Sequence, residues 1–173
     1  MSKFKRVIIT NDIPRTMTKE NKAKLKALEL ETKIAKYPSM NPKYIGLTEW
    51  TDNSANSLTN SIIFYINATG NQAERISNQG QYREGNKIEV GTGEIAYTKQ
   101  LPGKWTKGHG TKGTADISSI INGKSVKIEV KYGRDIQSEA QKQYQNKIET
   151  AGGIYYIARD FDTFIEWYNT LTQ

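Results

Sequence analysis

The sequence contains no cysteine and only one histidine, His109. Disulfide bonds and thiolate zinc sites are therefore excluded, and any metal ion must be held by oxygen atoms. No apolar run approaches the roughly 20 residues that span a bilayer, and the polar, basic start lacks the apolar stretch of a secretory signal. We expect an unexported, cytoplasmic protein with no membrane partner.

Acidic residues are few in the first 48 positions, where four Asp or Glu accompany eleven Lys or Arg. The remainder of the 173-residue chain carries fourteen of each kind, so the whole net charge of +7 lies near the N-terminus. A basic appendage attracts phosphate groups, because each neutralised phosphate releases counterions. The distribution favours contact with nucleic acid, although solubility alone also explains such charge.

The length fits one compact domain with an appendage. Thr18 predicts the start of a helix that runs to about Tyr37 and ends before Pro38. The apolar stripe of this helix is predicted to contain Ala23, Ala27, Leu30, Ile34 and Tyr37. We therefore expect a basic N-terminal extension with one helix over residues 1–52, followed by a compact domain over residues 53–173.

The first half of the compact domain gives weaker signals. A helix is predicted by the spacing of Leu58, Ile62, Tyr65 and Ile66, with Gly70 at its end. A short strand over residues 73–77 carries Arg75, residues 88–99 alternate weakly as a second strand, and residues 99–112 are typical of a basic loop. The Gly91-Thr-Gly93 pattern is too short for a nucleotide-binding loop, so no small-molecule cofactor is expected.

The most informative passage is a predicted hairpin. Asn122-Gly123 separates two segments rich in strand-forming residues, 114–121 and 124–132. An Asn-Gly pair in this context is a strong signal for a two-residue hairpin loop. With these two residues as the loop, the residue numbers of every opposed pair sum to 245.

Alternation gives this hairpin one apolar and one polar face. The apolar face contains Ala115, Ile117, Ile121, Val126, Ile128, Val130 and Tyr132. On the polar face, Asp116 is opposite Glu129 and Lys131 is on the same side. Two carboxylates about 5 Å apart repel by roughly 3 kcal/mol at an effective dielectric near 20, and a divalent cation reverses that sign.

Mg²⁺ and Mn²⁺ prefer hard oxygen ligands of this kind and can also hold a phosphate. Lys131 can orient an attacking water or stabilise the charge that develops on the phosphate. This pattern favours a metal site that cleaves nucleic acid. The alternative is a solvated hairpin face, on which Lys127 and Lys131 are ordinary partners of Glu129.

The chain after the hairpin predicts a helix, a strand and a last helix. Ser138 begins the first helix, whose stripe contains Ala140, Tyr144, Ile148 and Ala151 and which ends at Gly152-Gly153. Residues 154–158 read as a buried strand parallel to that of Glu129. Asp160 or Asp162 caps the last helix, which packs Phe164, Trp167, Tyr168 and Leu171 inward. The fold class is α/β, with helices that flank a mixed central sheet.

Four segments of the chain occur together in the order and spacing of one family: Gly113-Thr-Ala-Asp116, Glu129-Val-Lys131, Gln137-Ser-Glu-Ala-Gln141 and Gly152-Gly-Ile-Tyr-Tyr156. On these motifs, residues 57–168 resemble the VRR-NUC branch of the PD-(D/E)xK nucleases. The resemblance implies a restriction endonuclease-like core, Mg²⁺ or Mn²⁺ as cofactor, and hydrolysis of DNA phosphodiester bonds. Stand-alone members tend to be homodimers that act on branched DNA, and many belong to phages, which would place the protein in the host cytoplasm.

The resemblance also implies roles for single residues. Asp116, Glu129 and the main-chain carbonyl of Val130 would bind the metal, Lys131 would assist the attacking water, and Gln141 would line the site. Asp116, Glu129, Lys131 and Gln141 are thus the predicted catalytic residues. From its position alone, Gln141 can equally complete a capping box with the preceding helix start.

Two positions depart from the family pattern. Ala115 replaces the proline of the motif, which the hairpin geometry does not require. Asn60 is the nearest candidate for a position at which the first helix of many members supplies a further glutamate.

For DNA contact, we predict Arg75, Lys107, Lys112 and Lys127. Arg75 can grip a phosphate or pair with a surface carboxylate, while Trp105 and Tyr97 either stack on bases or pack under the basic loop. The alternative function is a DNA-binding or virion-associated protein that kept the fold and lost cutting. A third is an adaptor whose N-terminal helix binds a partner protein.

Overall fold

The computed structural model of the chain describes residues 16–77, 80–90, 97–106, 108 and 110–172. This part of the chain belongs to the mixed α/β class. Its helices are α1 (Lys19–Lys36), α2 (Ala55–Ala68), α3 (Glu139–Thr150) and α4 (Phe161–Thr172). Its strands are β1 (Gln72–Arg75), β2 (Gln81–Arg83), β3 (Lys87–Val90), β4 (Tyr97–Gln100), β5 (Lys104–Thr106), β6 (Ile117–Ile121), β7 (Lys124–Val130) and β8 (Ile154–Ala158).

The central sheet has four strands in the order β1-β6-β7-β8. β1 and β7 are each antiparallel to β6, whereas β7 and β8 are parallel, so the sheet is mixed as the sequence predicts. Parallel neighbours need a long connection, and α3 lies in that connection.

The predicted hairpin is confirmed with its register. Asn122 and Gly123 have φ angles of 49° and 73°, the positive values that a tight two-residue loop of this kind requires. Its five paired positions run from Ile117–Ile128 to Ile121–Lys124, and each pair sums to 245.

One face of the sheet carries the hydrophobic core. α2 and α4 each contribute the apolar side chains predicted for that helix. β6 and β7 contribute the predicted apolar face of the hairpin. The largest buried members are Leu58, Ile62, Ile66, Ile117, Ile121, Ile128, Phe161 and Phe164. Full burial of one such side chain contributes about 1.5–3 kcal/mol, so this face supplies most of the apolar stabilisation.

α3 packs against the opposite face of the sheet. Tyr144 of α3 meets Tyr155 of β8 edge to face, with ring centroids 6.3 Å apart. Tyr155 pairs with Lys127, and it therefore points to the same side as Glu129. The predicted helix, its start at Ser138 and the parallel strand after it are all confirmed.

α1 forms as predicted, with Thr18 as its N-cap, but the predicted apolar stripe is wrong. The side chains that α1 buries are Leu25 and Glu29, whereas Ala23, Ala27, Ile34 and Tyr37 are exposed. Glu29 is drawn inward because its carboxylate accepts hydrogen bonds from Thr48 and from the indole of Trp50.

The segment before residue 53 is joined to the core. Met17 and Leu25 belong to the same hydrophobic cluster as α2 and α4. The buried carboxylate of Asp52 accepts hydrogen bonds from the main-chain nitrogen of Met17, at 2.8 Å, and from that of Phe161, at 3.2 Å. The division of the chain at residue 52 stays a prediction, and residues 1–15 lie outside the described part.

Two small antiparallel sheets lie between β1 and β6 in the sequence. One pairs β2 with β5, and the other pairs β3 with β4. The single strand predicted over residues 88–99 is therefore wrong, because its two ends pair with each other, and the predicted basic loop over residues 99–112 contains β5. Gly91 and Gly93 lie outside the described residues.

None of the described helices has both the length and the apolar composition needed to cross a membrane.

Candidate metal and catalytic site

The predicted carboxylates come from two neighbouring strands. Asp116 precedes β6, and its Oδ2 accepts a hydrogen bond of 2.8 Å from the main-chain nitrogen of Val130, the residue after Glu129. The main-chain oxygen of Asp116 accepts another from the nitrogen of Ile76. These two hydrogen bonds hold Asp116 beside the end of β7, where the hairpin register predicts it.

Glu129 is almost wholly buried, at 2% exposure. Its Oε1 lies 3.0 Å from Nζ of Lys131 and 2.5 Å from Nε2 of Gln141, and its Oε2 lies 3.5 Å from the hydroxyl of Tyr155. Lys131 is 8% exposed. The alternative of a solvated hairpin face is wrong in its exposure, because both residues are buried, but the ion pair of Lys131 with Glu129 that it expected is present.

Burial raises the pKa of the Glu129 carboxyl above its ordinary value of 4.5. The neighbouring ammonium of Lys131 opposes this rise, and the negative charge of Asp116 adds to it. Burial, followed by the charge of Glu129, also raises the pKa of the Tyr155 hydroxyl, which therefore stays protonated and can donate to the carboxylate. Within the described part of the chain, Lys131 is the one cation that forms an ion pair with Glu129.

Gln141 completes the predicted capping box and also contacts the carboxylate site, while its catalytic role stays a prediction. With Ser138 it forms a capping box at the start of α3, in which its Oε1 accepts from the nitrogen of Ser138 at 2.9 Å. The same oxygen accepts from Nζ of Lys131 at 3.0 Å, and the amide nitrogen donates to Glu129. The N-terminus of α3 is therefore fixed to the carboxylate site.

Gly113 lets the segment before Asp116 approach α3 closely. Its φ is +80°, and a Cβ at this position would collide with the carbonyl group of Ala140 and lie 2.8 Å from the nitrogen of Gln141. A side chain here would therefore push apart the Asp116 segment and the first turn of α3.

A groove of about 820 Å³ opens beside this site. Its lining includes Gln141 and Ser138 on one side, and Trp105, Lys112 and Thr114 on the other. This volume lies within the range typical of small-ligand sites. Gln141 both lines the groove and contacts Glu129, so the groove borders the site, although neither Asp116 nor Glu129 is among its lining residues.

The oxygen donors fit a hard divalent cation. Among the described residues, no group of three or more Asp, Glu or His side chains gathers at one point, so Asp116 and Glu129 are the two available carboxylates. Asn60, considered for a further ligand, is an exposed residue of α2. Two carboxylates and the carbonyl of Val130 suit Mg²⁺, which usually keeps several waters and completes its shell with phosphate oxygens.

The residues predicted to contact DNA separate in the structure. Lys127 lies two positions before Glu129 on the same face, and Lys112 lines the groove. Arg75 pairs with Ile117, so its side chain leaves the sheet on the opposite face. Lys107 lies outside the described residues.

Sequence reasoning missed Tyr155 and misplaced Trp105. The parallel register, which pairs Tyr155 with Lys127, would have indicated that the tyrosine shares the face of Glu129. Trp105 is 68% exposed, so packing under the loop is wrong for it, and Tyr97 is exposed as well.

Comparisons with protein-family models, with curated proteins and with solved structures found no match to this chain. The likeness to VRR-NUC nucleases therefore rests on the four motifs and their spacing.

Proposed function

We propose that this protein is a metal-dependent endonuclease with a restriction endonuclease-like core that hydrolyses DNA phosphodiester bonds. One observation carries the proposal: the Asp116 carboxylate is bonded to the main chain of Val130, next to Glu129, and a buried lysine and a glutamine both contact Glu129. Burial of the Glu129 carboxyl near a second carboxylate costs stability, and such costly charge arrangements are typical of functional sites. The order and spacing of the four sequence motifs also support it.

Asp116, Glu129 and the Val130 carbonyl would hold Mg²⁺ or Mn²⁺. Once bound, such an ion lowers the pKa of a coordinated water and neutralises charge on the phosphate.

The other side chains of the site position Glu129 and supply positive charge and hydrogen bonds. Lys131 presents its ammonium at the carboxylate pair, where it can stabilise negative charge on the scissile phosphate. Gln141 holds both Lys131 and Glu129 through one amide, and Tyr155 donates to the far oxygen of Glu129. Lys112 and Lys127 supply positive charge for the flanking phosphates.

A DNA-binding protein without cleavage activity is the second candidate. It is favoured by the contacts of Glu129, whose Oε1 is engaged by both Lys131 and Gln141. A metal ion must displace or share these contacts before it can bind that oxygen.

The test is cleavage of linear, forked and four-way DNA with Mg²⁺ or Mn²⁺. We expect Asp116→Ala and Lys131→Ala to lower the rate about 100- to 1,000-fold while DNA binding is retained. Lys142→Ala is the matched control, because this exposed α3 lysine pairs only with Glu139 among the described residues. A wild-type protein that binds every substrate and cuts none would establish the second candidate. Sedimentation of the same samples tests the homodimer that the resemblance implies.

A further inference from the structure

The ribbon formed by β2 and β5 presents two aromatic rings beside the groove. Tyr82 and Trp105 are directly opposed across the two strands. Their ring centroids are 6.2 Å apart, and the side chains are 55% and 68% exposed. Large rings that the protein leaves open to solvent in this way are typical of a binding surface.

Glycines hold both rings in place. A Cβ on Gly103 would collide with the phenol ring of Tyr82, and a Cβ on Gly80 would lie 3.3 Å from the ring of Trp105. Each ring therefore lies close to a glycine, and more than half of each side chain is open to solvent in the described part of the chain. A ring that is already oriented loses little conformational freedom on binding.

Positive charge lies near this aromatic pair. Lys112 lines the groove with Trp105, whereas Arg83 and Lys104, opposed at the next position of the ribbon, leave its other face. Residues 80–112 contain six Lys or Arg and three Glu. Aromatic rings flanked by cations bind single-stranded nucleic acid, because bases stack on the rings while the cations attract the phosphates.

We infer that Tyr82 and Trp105 form a stacking platform for unpaired bases, and that the substrate is DNA with a single-stranded segment beside the scissile phosphate. Paired bases stack on one another within a duplex, so their faces are closed to the two rings. Trp105 lines the same groove as Gln141, and Gln141 contacts Glu129, so the platform lies in the groove that borders the carboxylate site. The cleavage part of this inference rests on the proposed function, whereas the binding part does not.

The binding test uses the full chain in EDTA, with a labelled single-stranded oligo(dA) and a duplex of equal length. We expect Trp105→Ala to weaken single-strand affinity about 5- to 150-fold and to leave duplex affinity within about twofold. Tyr82→Ala should act in the same direction, and Trp105→Phe should retain most of the affinity. Tyr44→Ala is the matched control, because Tyr44 is also open to solvent but lies outside the ribbon, in a 3-10 helix over Pro42–Tyr44.

Three results would overturn the platform. The first is an equal loss of single-strand and duplex affinity, which indicates charge attraction alone. The second is a higher affinity for oligo(rA) than for oligo(dA). The third is loss of self-association in Trp105→Ala at unchanged DNA affinity, which makes the aromatic face a contact between copies of the chain.

Cleavage assays on the same variants separate this inference from the proposed function. Suppose that Trp105→Ala cuts forked DNA at the wild-type rate and also cuts forked and duplex DNA at equal rates. The platform then fails while hydrolysis stands. If the wild type never cuts, but Trp105→Ala shows the expected loss of single-strand binding, hydrolysis fails while the platform stands.

Discussion

The side-chain amide of Gln141 connects the first turn of α3 to the carboxylate of Glu129. Its nitrogen lies 2.5 Å from Oε1 of Glu129, and its oxygen lies 2.9 Å from the nitrogen of Ser138. Helix capping and the position of the buried carboxylate therefore depend on one residue.

Substitutions of Gln141 can separate these two roles. Gln141→Ala removes half of the capping box, and we expect a loss of about 1 kcal/mol in the free energy of unfolding. Gln141→Glu keeps an acceptor for Ser138 but places another anion against Glu129. We therefore expect its loss of stability relative to wild type to be larger at pH 7 than at pH 5. Urea unfolding at both pH values measures this. Equal stability of Gln141→Glu and wild type at pH 7 would contradict the contact.

Asp116→Asn should uncouple metal binding from folding. The asparagine oxygen can still accept from the nitrogen of Val130, while the charge that raises the pKa of Glu129 disappears. Without metal, we expect stability at pH 7 to equal or exceed that of wild type. Mg²⁺ at 100 times its dissociation constant should stabilise the wild type by about 2.7 kcal/mol and the variant by much less. Thermal melts with and without Mg²⁺ measure both effects, and an equal Mg²⁺ shift in the two proteins would rule out Asp116 as a ligand.

Gly113→Ala should displace α3 and slow cleavage. A left-handed conformation costs a residue with a side chain about 1–2 kcal/mol, and the collision with Ala140 adds to that cost. Gly70→Ala is the matched control, because Gly70 has a φ of +83° and open space around its missing Cβ. Chemical unfolding should show the larger loss of stability for Gly113→Ala. Of the two variants, cleavage assays should show a loss of activity for Gly113→Ala alone. Identical behaviour of the two variants would mean that the contact with α3 has no consequence.

Lys127→Ala and Arg75→Ala should differ in DNA affinity, because the two side chains leave opposite faces of the sheet. If DNA approaches the face of Glu129, Lys127→Ala removes about one phosphate contact, and the slope of log K against log salt becomes correspondingly less steep. Arg75→Ala should leave the slope unchanged. Anisotropy titrations from 50 to about 200 mM salt test this, and a reduced slope for Arg75→Ala alone would place DNA on the core side of the sheet.

Glu29 should make stability depend on pH in the acid range. Burial raises its pKa, but hydrogen bonds from Lys33, Thr48 and Trp50 outweigh burial and leave the pKa below 4.5. The stabilisation is thus complete above the unfolded value of 4.5 and is lost as pH falls through the lower folded value. At pH 7, Glu29→Gln should cost about 2 kcal/mol, and this deficit should shrink below pH 4.5.

Unfolding midpoints between pH 3 and 7 test this dependence. Glu31→Gln on the exposed side of α1 is the control and should give a small difference at every pH. A deficit of Glu29→Gln that stays constant from pH 7 to pH 3 would contradict it.

Local rules were enough to predict the hairpin and the helix after it. Asn122-Gly123 fixes the loop, and a period of two then assigns every side chain in β6 and β7 to a face. The start of α3 is identified by Ser138 and Gln141, which form a capping box within four residues. The two carboxylates were therefore predicted to meet without knowledge of the rest of the chain.

The features that sequence reasoning missed depend on distant residues or on exposed strands. Glu29 is buried by acceptor contacts with residues 19 and 21 positions away, which helical periodicity does not reveal. β3 and β4 are almost wholly exposed, so they lack the apolar alternation that identifies a strand. The open position of Trp105 depends on its pairing with Tyr82, across a segment with few apolar signals.

The carboxylate of Asp52 ties the start of the described chain to the first residue of α4, since it accepts from the nitrogens of both Met17 and Phe161. A shortened protein that begins at residue 53 would lose this anchor together with Leu25, and would bare the aromatic cluster around Phe161. Such a protein that no longer bound DNA would report a damaged core and not the role of a basic arm. The informative cut for the arm lies before residue 16, where it leaves the anchor intact.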